Sequence, residues 1–112
     1  MDEVFIKKKH SMCTHTWASP EARETLMEKA KNMTDRQFFE SLKTDKAETL
    51  QNWIGTEDFF YCHWYAESEE AIFDLLDAAG FNDLMVSMPN EMQRYVSTAQ
   101  IKDEILVNPF EK

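Results

Sequence analysis

Three histidines and two cysteines are the side chains best suited to chemistry, and they fall in two clusters. His10, Cys13 and His15 follow the spacing His-x-x-Cys-x-His, and Cys62-His63 come much later in the chain. Imidazole and thiolate together suit a transition metal such as zinc or nickel. An imidazole can also move a proton near neutral pH. Alternate residues of a strand share a face, so Cys13 and His15 can act together. Cys62 and His63 are consecutive and cannot both enter one strand-built site without a bulge. The spacing matches no tight metal motif, and there is no C-x-x-C pair. In the plainer alternative, His15 and His63 are hydrogen-bonded pocket residues and the cysteines fill core space as small hydrophobes.

Other chemistries find little support. Two glycines can hardly build a phosphate-cradling loop, and no nucleophile elbow or dinucleotide fingerprint occurs. The seven methionines are dispersed and read as packing residues. The chain carries 12 basic and 21 acidic residues, a formal charge of −9. Between Lys46 and Arg94 there is no Lys or Arg, but there are ten acids. A phosphate backbone would be repelled along most of that surface, so no nucleic-acid partner is expected. The run Lys7-Lys8-Lys9, beside Asp2 and Glu3, reads as the solvated start of a strand. No apolar run approaches the roughly eighteen residues of a membrane span, and the N-terminus lacks an apolar signal region. The expectation is a cytoplasmic protein with two free thiols and no membrane partner.

The elements that must position these residues follow from caps and periodicity. Ser19-Pro20-Glu21 has the form of an N-cap, a first-turn proline and a first-turn acid. Ala22, Leu26, Met27 and Ala30 then recur at helical spacing. Ser68-Glu69-Glu70 opens a second helix, with Ala71, Ile72, Leu75, Leu76 and Ala79 on its apolar face and Gly80 as its stop. A shorter helix starts at Thr34, with Gln37 as its capping-box partner. Residues 10–17, 48–54 and 59–66 read as strands, the last two joined across Gly55-Thr56-Glu57-Asp58. The fourth strand falls either at 84–88 or at 91–96; 91–96 is preferred because Pro89 interrupts the earlier stretch.

This order predicts a single α+β domain over residues 1–112, with a ferredoxin-like βαββαβ core at about 10–97. Its four antiparallel strands would run 4-1-3-2, with the helices on one face. No element remains to cover the other face, so a second copy packed sheet to sheet is expected. The apolar tail, 98–112, would dock on that partner subunit. In the third strand, Phe60, Cys62, Trp64 and Ala66 suit the core. Phe59, Tyr61, His63 and Tyr65 suit a partly wet cavity between sheets. The first and third strands are neighbours in this order, so His15 and His63 are expected to approach each other in that cavity. A metal there would take His15 and His63 as ligands, with His10 or Cys13 next.

The run from Phe60 to Ile72, followed by Ala79-Gly80, resembles the third strand and second helix of small dimeric α/β-barrel proteins. It is most similar to the ferredoxin-like family that includes nickel-responsive proteins, with its C-x-aromatic-x-A-x-S-x-E-A-hydrophobic pattern. The resemblance covers about a fifth of the chain well. It implies the fold, a homodimer and a cavity against a helix-free sheet face, and it carries over no catalytic set. The stretch Met33–Thr44 and the long tail depart from the family outline. The wider superfamily includes monooxygenases, muconolactone isomerase-like enzymes and sugar mutarotases.

The resulting expectation is a dimer that binds a small molecule, or nickel or zinc, in a cavity lined by His15, Trp17, Tyr61, His63 and Tyr65. The first alternative is a cofactor-free monooxygenase or isomerase that uses a cavity histidine as acid and base. The second is a structural or regulatory dimer without a ligand.

Overall fold

The structure is a computed structural model that describes residues 7–111. Asp2 and Glu3, placed beside the lysine run in the sequence reading, lie outside the described residues. The elements follow in the order β1 (Lys9–Trp17), α1 (Pro20–Ala30), α2 (Asp35–Ser41), β2 (Ala47–Ile54), β3 (Phe59–Ala66), α3 (Glu69–Ala78) and β4 (Met85–Glu91). The four strands form one antiparallel sheet in the order β2-β3-β1-β4. The fold is α+β, and this order is compatible with a ferredoxin-like architecture extended by α2.

Each helix starts where its cap dictates. Ser19 Oγ accepts from Ala22 N–H at 3.0 Å, and Ser68 Oγ accepts from Ala71 N–H at 3.1 Å. Thr34 and Gln37 close a reciprocal capping box, which holds the short α2 although it buries no residue. Gly80 ends α3 with φ +81°, a backbone conformation that a side chain would strain.

The core lies between the helices and one sheet face. Cys13, Cys62, Trp64 and Ala66 project from the sheet against Ile72, Leu75 and Leu76 of α3 and Leu42 after α2. The fourth strand corrects the preference for 91–96. It spans Met85–Glu91 and includes Pro89 opposite Cys13. Proline is tolerated because β4 is the edge strand of the sheet, bonded only to β1 among the described residues.

The β2–β3 ladder carries a bulge at Leu50. Thr49 faces Trp64, but Gln51 faces His63 and Asn52 faces Cys62. The extra residue inverts the side-chain alternation along β2. Ala47 and Thr49 point to the helix side before the bulge, and Asn52 and Ile54 do so after it.

Candidate functional site

The β1–β3 register decides where the chemistry sits. Lys9 faces Ala66 and His15 faces Phe60, so odd-numbered residues of β1 share a face with even-numbered residues of β3. Cys13, His15 and Trp17 therefore lie on the helix-covered face with Phe60, Cys62 and Trp64. His10 and Met12 lie on the open face with His63 and Tyr65. The expected meeting of His15 with His63 does not occur, because they stand on opposite sides of the sheet. The five expected pocket residues divide in the same way. His15 and Trp17 are on the helix side, and Tyr61, His63 and Tyr65 are on the open side.

The helix side holds a cavity of about 510 Å³. Its floor is the sheet, with Phe60, Cys62, Trp64, Asn52 and His15 along it. Leu26, Met27 and Ala30 of α1 line one wall, and Phe38 of α2 lines another. Leu76 of α3, with Ala79 and Phe81, lines a third. The lining is mostly apolar, as small-molecule sites usually are. Trp17, Phe60 and His15 form a continuous stack in it. Ring centroids are 4.4 Å apart for Trp17–Phe60 and 4.8 Å for His15–Phe60, with interplanar angles of 28° and 18°.

His15 is 1% exposed, and its Nδ1 lies 2.7 Å from Ser87 Oγ on β4, directly opposite in register. Burial lowers its pKa to about 4, so the ring is neutral at pH 7. Two buried ring nitrogens, His15 Nε2 and Trp64 Nε1, have no hydrogen-bond partner among the described residues. Both rings line the cavity. Asn52 Nδ2 donates to Cys62 Sγ at 3.3 Å. Both cysteines are free and buried. Burial raises the Cys13 thiol to about 12, aided by Cys62, and raises Cys62 to about 11. Neither thiol is poised as a nucleophile.

The open face holds a different cluster. Gln51 Nε2 donates to His63 Nδ1 at 3.0 Å. That leaves the His63 proton on Nε2, which donates to His10 Nδ1 at 2.9 Å. Tyr65 packs tilted against His10 with ring centroids 4.7 Å apart, and the Tyr95 ring, beyond β4, lies with its centroid 6.3 Å from that of His63. Burial, and secondly the charge of His10, hold the His63 pKa below its ordinary value. The expected metal set is thus divided. His10 and His63 meet on the open face, while Cys13 and His15 lie beneath the helices. Among the described residues, no three His, Cys, Asp or Glu side chains come together as a metal-binding group.

Around the histidine pair, Trp53, Phe59, Tyr61, Val86 and Met88 leave the open face apolar and exposed. Glu48 is the only acid among the strand residues of this face.

Sequence reasoning missed Trp64 and Asn52 as cavity residues, Ser87 as the partner of His15 and Gln51 as the partner of His63. The bulge at Leu50, which places both β2 residues, leaves no clear sequence signal. Trp64 could have been found from its N–H, a donor that needs a partner when an indole is buried.

No protein-family model, curated protein or solved structure matches this chain.

Proposed function

We propose that the protein binds a small organic molecule in the cavity between its sheet and its helices, and acts as a binding protein. One observation carries this reading: His15 and Trp64, two residues that line an apolar space of about 510 Å³, each hold a fully buried ring nitrogen without a partner among the described residues. Leaving a buried polar group unpaired costs about 1–3 kcal/mol, and a ligand that satisfies it recovers part of that cost. The alternative of an acid–base enzyme is less well supported. A histidine with its pKa near 4 is a weak base at neutral pH, and general bases work best near the operating pH.

The functional unit in this reading is a homodimer of the dimeric α/β-barrel type, joined through the open sheet face. The supporting features are the exposed aromatic and aliphatic side chains of that face and its single strand acid in a chain of charge −9. The tail supports it too, with Ile105 97% and Phe110 92% exposed. The Cα radius of gyration is 16.0 Å, against about 13 Å for a compact chain of some hundred residues. The two buried thiols suit a reducing compartment such as the cytoplasm. No helix among the described residues is long and apolar enough to cross a membrane.

The test uses 1-aminoanthracene, a neutral dye whose emission rises in apolar sites. Wild type should enhance and blue-shift its emission with a saturable, micromolar midpoint. Ala79→Phe, which fills the cavity, should weaken binding at least tenfold while retaining cooperative thermal unfolding. Equal binding by both proteins would contradict the cavity reading.

A further inference from the structure

We infer that the ligand of this cavity is a neutral, flat aromatic molecule that carries a hydrogen-bond acceptor, such as an aryl ketone; this deepens the proposed binding function and rests on it.

Flatness follows from the wall. Trp17, Phe60 and His15 stack in sequence with tilts of 28° and 18°, so the wall presents one run of nearly parallel rings. A planar ligand extends such a stack, whereas a puckered aliphatic ring meets it along few atoms.

Neutrality follows from the charges. Among the described residues, Lys29 and Asp35 are the only formally charged ones of the lining, and both are exposed on the helices. A charged ligand would lose its hydration without meeting an opposite charge on the sheet side. The chain charge of −9 adds repulsion for an anion. His15 offers no cation at pH 7, since burial keeps it neutral.

The acceptor follows from Trp64. An indole N–H can only donate. Trp64 is 0% exposed, and its Nε1 has no partner among the described residues. An apolar ligand would leave that donor unpaired, and a cationic donor would oppose it. His15 Nε2 is a second buried ring nitrogen without a partner among the described residues, and it donates or accepts according to the ring's tautomer.

Calorimetric titration at pH 7.5 with five bicyclic probes tests this class. 1-Acetonaphthone is flat, neutral and an acceptor. 1-Ethylnaphthalene lacks the carbonyl, 1-naphthoate is an anion, 1-naphthylmethylammonium is a cation, and 1-decalone is a saturated ketone. Acetonaphthone should bind at least tenfold more tightly than each of the others, and Trp64→Phe should bring it within about twofold of ethylnaphthalene. Equal wild-type affinities for acetonaphthone and ethylnaphthalene, or tightest binding by either ion or by decalone, would overturn the class and leave the cavity reading standing. Binding by none of the five would overturn both. The wild-type series decides the matter even if the Trp64 variant does not fold.

Discussion

His15 and His63 stand on neighbouring strands and point to opposite sides of the same sheet. His15 is buried beneath the helices, held by Ser87. His63 is half-buried on the open face, held between Gln51 and His10. The two rings therefore titrate in separate environments, and neither can act on what the other touches.

The first consequence is a pH dependence of stability. Burial lowers the folded pKa of His15 from its ordinary value of 6.5 to about 4. Between those values the unfolded chain binds the proton and the folded chain does not, so stability falls as the pH drops. The contribution is intact above pH 6.5 and is lost down to about pH 4, by up to about 3 kcal/mol. His15→Asn removes this titration. Denaturant unfolding at pH 7 and pH 4 should show wild type losing more stability than the variant. Identical losses would place His15 in a more hydrated site.

The thiols give a second prediction. Cys13 and Cys62 face each other in register and are both buried. Their raised pKa values leave almost no thiolate at pH 7.5. Alkylation by iodoacetamide should therefore be at least a hundredfold slower in the folded protein than in urea. Modification at the rate of a free thiol would show that the core opens readily.

Much of the fold was legible because its signals are local. Ser19-Pro20, the Thr34/Gln37 box and Ser68 with Gly80 mark helix ends through bonds within a few residues. The face assignment of β3 was also legible, because Phe60, Cys62, Trp64 and Ala66 differ so clearly from Phe59, Tyr61, His63 and Tyr65. The pairing of faces between strands was not. It depends on a register that couples odd positions of β1 to even positions of β3, and no single strand records that. The cavity was therefore expected on the open face, whereas His15 and Trp17 line one beneath the helices. The bulge at Leu50 was hidden for the same reason, since a bulge is a property of the pair of strands. Pro89 argued against a strand by propensity, and its edge position removed the objection.

The open face provides a third prediction. Tyr61 lies among Trp53, Phe59, Met88 and their neighbours on the exposed apolar surface. Wild type should elute in light scattering at twice the 13.2 kDa chain mass. Tyr61→Glu should shift the protein to the monomer mass at micromolar concentration, with an unchanged far-ultraviolet spectrum. A monomeric wild type would remove the dimer from the account.

The central claim is that a ligand enters the cavity above Trp64, and the three tryptophan indoles report on it separately. Trp64 is buried in the cavity floor, Trp17 lies in the aromatic wall and Trp53 is exposed on the open face. The most direct measurement is a nitrogen–proton correlation spectrum of these indole groups during titration with 1-acetonaphthone, with peaks assigned by single Trp→Phe variants. The account predicts a saturable downfield shift of the Trp64 Nε1 proton as it gains an acceptor, a ring-current shift at Trp17 and no change at Trp53. A shift at Trp53 alone, or an unmoved Trp64 resonance at a concentration that saturates binding, would contradict it.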